Sequence, residues 1–139
     1  FADEDLHRRF LGVPEQLLGG VNRFGCEAAT VAWEEADEWA DALVALFNGH
    51  RRRLVDRIAA ELPDIRVHLP QSTFLAWLDL SVLEPGDRPA TWLRERTGVR
   101  GKNGPLFGEG GEGHVRFTFG TSTAVLDEMV DRLVAGLGG

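Results

Sequence analysis

The sequence predicts an α+β domain in which helices pack against a small, mainly antiparallel sheet. Three observations lead to this prediction. Apolar residues recur every three or four positions over long stretches, which is typical of amphipathic helices. Short, mostly apolar segments lie between these stretches and have the length of strands. The order of the elements is helix, strand, strand, helix, strand, helix, and this order favours an α+β arrangement.

Composition and charge bound the class of protein. The chain has 139 residues, of which 43% are hydrophobic and 27% charged, within the usual range for one globular domain. Its net charge of −7 argues against nucleic acid as a partner, because phosphate backbones are bound by clustered cations. No apolar run approaches the roughly 20 residues that cross a bilayer, and the acidic start resembles no signal peptide. We therefore expect no membrane partner. Cys26 is the single cysteine, so no internal disulfide can form, and this favours a reducing compartment, the cytoplasm.

The N-terminal part of the sequence is predicted to be helical. Asp3 is a candidate N-cap for a short helix that ends near Phe10. The longest periodic stretch follows, from about Glu27 to Leu62, and Asn48-Gly49 is the place where it could bend or divide. A helix of about 35 residues would extend about 50 Å, which is longer than a small domain is wide. We therefore expect this helix to link two bodies.

The remaining elements are shorter and have clear ends. Pro63 ends the long helix because its ring cannot continue the helical hydrogen-bond pattern, and Gly98 is a fitting stop for the next one. Thr121 or Ser122 is expected to cap the last helix. The predicted strands cover residues 65–68, 73–80 and 114–119, and the predicted helices cover residues 89–97 and 123–137.

Arg116 is the candidate functional residue. Side chains alternate across a strand, so Val115, Phe117 and Phe119 share one face and Arg116 lies on the other with Thr118. A guanidinium held by a rigid strand can bind a carboxylate in bidentate fashion. From spacing alone, however, an exposed arginine on a solvated sheet face is the favoured interpretation.

Other patterns carry no chemistry. The glycine-rich segment 108–113 leads into a strand, whereas phosphate-binding loops lie at helix N-termini. The basic run 51–53 is interpreted as a solvated helix face, and no G-x-S-x-G nucleophile motif occurs. The four histidines lack metal-ligand spacing, and the four tryptophans are interpreted as core or interface residues. These residues are His7, His50, His68 and His114, and Trp33, Trp39, Trp77 and Trp92.

Four stretches of the chain match a known pattern in order and spacing. They are residues 34–39 (EEADEW) with Leu43, residues 69–79 (LPQSTFLAWLD), residues 104–108 (GPLFG) and residues 110–119 (GGEGHVRFTF). Together they resemble the C-terminal part of pyridoxal-phosphate (PLP) enzymes of the aminotransferase fold (fold type I), specifically the MalY/PatB-type cystathionine β-lyases. Comparable segments in that family read EEWLDAL, P-x-G-T-Y-L-A-W-L-D and G-x-x-F-G…G-E-G-x-V-R-L-N-F. The resemblance covers nearly the whole chain.

The resemblance implies a fold and a role for one residue. The chain would be the small C-terminal domain of a fold type I PLP enzyme, with residues 1–30 the tail end of the large PLP-binding domain and residues 31–139 the small domain. Arg116 would bind the α-carboxylate of an amino-acid substrate, which reverses the interpretation from spacing alone. Three positions depart from the family pattern: Ser72 replaces glycine, Phe74 replaces tyrosine and Thr118 replaces asparagine.

The resemblance also implies that the cofactor site lies elsewhere. The family's cofactor-bearing lysine precedes a segment like residues 1–10, and the single lysine here, Lys102, matches no cofactor motif. The chain has no tyrosine, which the family uses at the cofactor. We therefore expect no catalytic, cofactor-binding or metal-binding residue in this chain, and no activity from the chain alone.

The implied activity belongs to a parent enzyme. A cystathionine β-lyase-like C–S lyase would use PLP to expel a β-thiolate from an amino acid and release pyruvate and ammonia. The implied partners are the amino-acid substrate, the large domain of the same chain and a second subunit in a homodimer. Two alternatives stay open: a fragment of an aminotransferase of the same fold, and a self-standing, non-catalytic interaction domain.

Overall fold

The computed structural model describes residues 3–14, 17 and 19–138. They form two compact units, Phe1–Asp41 and Ala42–Gly139, which are called the N-terminal unit and the C-terminal unit below. In the described part of the chain, no helix is long and apolar enough to cross a membrane.

The helices of the N-terminal unit begin at capping residues. Helix α1 (Glu4–Leu11) begins after Asp3, whose carboxylate accepts hydrogen bonds from the backbone N–H groups of Asp5 and Leu6. Helix α2 (Arg23–Glu35) begins after Asn22, whose side chain accepts from the Gly25 N–H. Neither helix has a buried residue. The N-cap predicted at Asp3 is therefore confirmed.

The long helix is divided, but not where the sequence indicates. Helix α3 (Asp37–Glu61) follows α2 after a break at Ala36 and continues through Gly49, so the prediction of one helix over residues 27–62 is wrong. Its 25 residues correspond to about 37 Å, and the boundary between the two units falls inside it. The buried residues of α3 are His50, Leu54 and Ile58, whereas Val31 and Trp39, apolar residues in the first half of the predicted periodic stretch, are exposed.

The C-terminal unit contains a four-stranded antiparallel sheet with strand order β1-β2-β4-β3. Strands β2 and β4 form its centre, and the two edge strands have two residues each. The strands are β1 (Arg66–Val67), β2 (Leu75–Asp79), β3 (Lys102–Asn103) and β4 (His114–Thr118). Short 3-10 helices follow β2 (Ser81–Leu83) and β3 (Gly104–Phe107). The α+β class and the antiparallel sheet agree with the sequence prediction.

Helices α4 (Pro89–Thr97) and α5 (Thr123–Leu137) have the predicted bounds. Gly98 ends α4 with a φ of 72°, a left-handed conformation that glycine adopts without strain. Ser122 caps α5 by accepting a hydrogen bond from the Val125 N–H. Both helices pack with α3 and one face of the sheet around a single core. The core residues are Leu54, Ile58, Leu62, Ile65, Ala76, Leu78, Leu80, Ala90, Leu93, Val99, Val115, Phe117, Phe119, Leu126, Val130 and Leu133.

Candidate carboxylate-binding site

Strand β4 places Arg116 on the face of the sheet opposite the core. Val115 and Phe117 are completely buried, whereas His114 and Arg116 are half-buried on the other face. This alternation is the one predicted from the sequence, and it follows from the two-residue period of a strand. The guanidinium of Arg116 therefore lies on the outer face of the sheet, while Val115 and Phe117 anchor the strand in the core.

Two residues flank Arg116 directly across the sheet. Trp77 on β2 is opposite Arg116 on one side, and Lys102 on β3 is opposite it on the other. Directly opposed residues in antiparallel strands project to the same face, with Cβ atoms about 5 Å apart. The guanidinium carbon of Arg116 also lies 4.4 Å from the centre of the Phe107 ring. Sequence reasoning missed Phe107 and Trp77 as neighbours of Arg116, because strand register decides which residues meet.

Arg116 differs from several other arginines in its lack of an acidic partner. Arg53 pairs with Asp127, and Arg57 contacts both Glu61 and Asp131. Among the residues that the structure describes, no carboxylate lies within ion-pair distance of Arg116. A half-buried guanidinium without an internal acid is available to an external carboxylate.

A second polar group lies beside Arg116 on the same face. The imidazole of His114 stacks on the Trp77 indole, with ring centres 5.6 Å apart. Its Nδ1–H donates to the backbone carbonyl of Glu112 at 2.7 Å, and its Nε2 lies 3.9 Å from a carboxylate oxygen of Asp79. The Ser81 hydroxyl donates to Asp79 and is the main reason that the pKa of Asp79 is lowered, against the opposing effect of burial. Asp79 is therefore ionised at neutral pH.

The segment before β4 is closely packed at Gly104 and Gly113. A Cβ atom at Gly104 would lie 2.2 Å from the Gly111 carbonyl oxygen, and one at Gly113 would lie 2.8 Å from the Ser81 Cβ. Any side chain at Gly104 would therefore displace backbone. The glycine-rich loop leads into β4 and not into a helix, as the sequence predicts.

The other histidines and the tryptophans have varied surroundings. His50 is buried, and its Nδ1–H donates to the Phe119 carbonyl while Nε2 contacts the Thr123 hydroxyl. Within residues 3–14, 17 and 19–138, no group of three potential metal ligands occurs. Trp92 packs against the core, but Trp33 and Trp39 are exposed, so these two are not core residues and their place in an interface stays a prediction.

No family model matches the chain, but individual proteins do. The chain is 32% identical over 139 residues to a cystathionine β-lyase of Corynebacterium glutamicum, and the aligned region covers 99% of this chain and 36% of that protein. It is 31% identical over 124 residues to the cystathionine β-lyase PatB of Bacillus subtilis, with 86% of this chain and 31% of that protein covered. The structure superposes on a PLP-bound C–S lyase from Staphylococcus hominis with a TM-score of 0.79 and 25% identity, over 86% of this chain and 32% of that one. The chain thus spans about a third of the length of these relatives.

Proposed function

We propose that the chain forms the substrate-carboxylate-binding part of a PLP-dependent C–S β-lyase. Two findings support this proposal. The chain is homologous to the C-terminal third of the cystathionine β-lyases, and it has the fold of the small domain of fold type I PLP enzymes. In this proposal Arg116 binds the α-carboxylate of the amino-acid substrate. The activity, substrate and partners are those of a longer protein of which this chain is a part.

The observation that supports this role is the setting of the Arg116 guanidinium. Arg116 is half-buried on β4, and the residues on either side of it, Val115 and Phe117, are buried in the core. No described carboxylate neutralises the guanidinium. The guanidinium presents several N–H donors in a planar fork that matches the two oxygens of a carboxylate. Partial burial strengthens such a charge-assisted pair relative to one in water.

We propose that the residues of this chain do not form a pyridoxal-phosphate site by themselves. Lys102, the single lysine, is exposed on the edge strand β3 and lies across the sheet from another cation, Arg116. The sequence contains no tyrosine to bind or stack on the cofactor. We propose that the cofactor-bearing lysine lies in the large domain and that the 139 residues alone are inactive.

We further propose that residues 1–30 belong to the large domain and that the whole protein is a cytoplasmic homodimer. Some of these 30 residues lie outside the described part of the chain. The helices of the N-terminal unit expose several large apolar side chains, among them Phe24 and Trp33, each 85% exposed. Contact with the large domain or with a second subunit would remove these side chains from water. Exposed Cys26 is compatible with a reducing compartment.

The test is the kinetics of Arg116→Ala in the full-length, cofactor-loaded protein with a cysteine-derived thioether as substrate. Loss of a charge-assisted carboxylate contact is worth roughly 1.5–3 kcal/mol, so KM should increase about ten- to a hundredfold. Arg116→Lys should recover little, because an ammonium cannot reproduce the planar fork. The matched control is Arg132→Ala, which removes an exposed arginine paired with Glu128 and should leave KM unchanged. An unchanged KM in Arg116→Ala would return Arg116 to the class of surface residues.

A further inference from the structure

Phe107 lies directly against the functional end of Arg116. Its ring centre is 4.4 Å from the guanidinium carbon, within the range in which a cation interacts with the negative face of an aromatic ring. Phe107 is the last residue of the 3-10 helix Gly104–Phe107 and is 50% exposed. One part of the ring thus contacts the arginine while another faces solvent.

The position of this ring is set on two sides. The Phe107 ring meets the Trp77 indole edge-on, with centres 5.7 Å apart, and Trp77 is directly opposite Arg116 on the neighbouring strand. These three side chains, Arg116, Phe107 and Trp77, form one contact group on the outer face of the sheet. Trp77 thus supports the ring and also borders the arginine.

The backbone that carries Phe107 is also fixed. At the start of its 3-10 helix, Gly104 approaches Gly111 so closely that a Cβ atom would lie 2.2 Å from the Gly111 carbonyl oxygen. The preceding residue, Asn103, accepts a hydrogen bond from the Ala90 N–H at 2.7 Å through its side chain. Close packing and this hydrogen bond tie the segment to the rest of the C-terminal unit.

Stacking and carboxylate binding use different parts of a guanidinium. A ring contacts the flat face of the group, whereas its N–H donors point outward in the plane. A free arginine side chain populates many rotamers, and ordering it on binding has an entropic cost. A ring that holds the flat face reduces this cost and leaves the in-plane donors available to a carboxylate.

We infer that Phe107 is a positioning residue for substrate binding: it holds the Arg116 guanidinium with its donor edge directed to the substrate carboxylate. This inference rests on the proposed function of Arg116 and adds a residue to it. Phe107 acts through the arginine, so its removal weakens substrate binding and leaves the chemical step unchanged.

The first experiment replaces the ring in the full-length, cofactor-loaded protein. Phe107→Leu keeps apolar contact with Trp77 but removes the aromatic face, and it should increase KM about three- to tenfold with kcat unchanged. The dissociation constant of a non-reacting amino acid, measured by calorimetry, should increase by the same factor. Phe107→Trp restores an aromatic face and should bind close to the wild-type value. The matched control is Leu106→Ala, on the same turn and 73% exposed, which should change neither quantity.

A double-variant comparison separates positioning from direct contact with the substrate. In an Arg116→Ala background, Phe107→Leu should have no additional effect on KM, because the group that it positions is absent. If Phe107→Leu increases KM in the Arg116→Ala background by the same factor as in the unmodified protein, the positioning role is overturned. If Arg116→Ala increases KM and Phe107→Leu does not, the positioning role of Phe107 fails while the proposed function of Arg116 stands. If Arg116→Ala itself has no effect, the proposed function fails and this inference with it.

A structural readout does not depend on activity. In the NMR spectrum of the 139-residue chain, the ring current of Phe107 should shift the side-chain resonances of Arg116, and Phe107→Leu should abolish this shift. Trp33→Leu, at an exposed position, should leave it unchanged. Arg116 resonances at random-coil positions in the unmodified chain would contradict the contact between Arg116 and Phe107.

Discussion

The N-terminal and C-terminal units both contain capped helices, but the two units differ in how far their side chains are buried. Helix α1 has an N-cap, acidic residues in its first turn and basic residues in its last turn, yet no residue of α1 or α2 is buried. The C-terminal unit buries a core of 16 apolar residues among the described positions. Isolated helices shorter than about 12–15 residues are marginal in water. Favourable local signals therefore determine where α1 begins, but packing determines which helices are stable, and four predictions test this difference.

The largest expected effect is that of a core variant. Leu54 of α3 is completely buried, and Leu54→Ala should lower the free energy of unfolding by about 2–5 kcal/mol, since it removes apolar contacts and leaves a cavity. Trp33→Ala, at a position 85% exposed, should change it by less than about 0.5 kcal/mol despite the larger side chain. Urea unfolding of the 139-residue chain followed by circular dichroism measures both. Comparable losses in the two variants would mean that the N-terminal unit contributes to the same cooperative core.

The next effect compares two helix caps. Ser122→Ala removes the cap of α5 in the C-terminal unit and should cost about 1 kcal/mol of global stability. Asp3→Ala removes a cap with shorter hydrogen bonds, 2.8 and 3.0 Å, but should leave global unfolding unchanged because α1 has no buried residue. Urea midpoints give the global effect, and amide hydrogen exchange in α1 gives the local one. A global cost at Asp3 would show that α1 unfolds together with the core.

A smaller effect depends on pH within the C-terminal unit. The pKa of Asp79 is lowered mainly by the Ser81 hydroxyl, so this carboxylate contributes stability above its ordinary pKa, and the contribution is lost as pH falls through the lowered value. Ser81→Ala should raise the pKa of Asp79 and reduce stability at pH 7 by about 0.5–1.5 kcal/mol. The difference from the unmodified chain should disappear at acidic pH, below the folded-state pKa. Ser81→Thr, which keeps the hydroxyl, is the control, and a pH-independent difference would point to another cause.

The smallest change in core stability is expected when the N-terminal unit is removed. A chain of residues 42–139 should unfold with a free energy within about 0.5 kcal/mol of that of the C-terminal unit in the full chain. The full chain should self-associate in sedimentation experiments across a concentration series, because Phe24, Trp33 and other apolar residues are exposed, whereas the shortened chain should stay monomeric. A monomeric full chain at high concentration would favour the alternative of a self-standing domain.

Sequence patterns predicted element ends well where the signal was local. Pro89 and Gly98 bound α4, and Ser122 caps α5, since each of these residues acts through its own backbone conformation or through a neighbouring N–H. The break at Ala36 was not predicted, because neither glycine nor proline marks it. Conversely, Gly49 lies in the middle of α3 without a break, because the packing of His50, Leu54 and Ile58 outweighs the local propensity of one residue.

The candidate site was only partly predictable. The alternation of β4 placed Arg116 opposite the core, but its role came from resemblance and stays a prediction. The contacts with Phe107 and Trp77 depend on strand register and on a 3-10 helix that the sequence does not mark. A contact between residues about 10 or 40 positions apart in sequence has no periodic signature, so only the structure could identify it.

The two-residue edge strands of the sheet have a consequence for behaviour at high concentration. An exposed edge with a long row of unpaired N–H and C=O groups is a template onto which another chain can add a strand. Here β1 and β3 offer only short edges, and each carries a cation, Arg66 or Lys102. A second copy approaching either edge would gain few hydrogen bonds and would meet a positive charge. This sheet is thereby protected against edge-to-edge growth into fibrils, and any association of the chain should proceed through helical surfaces.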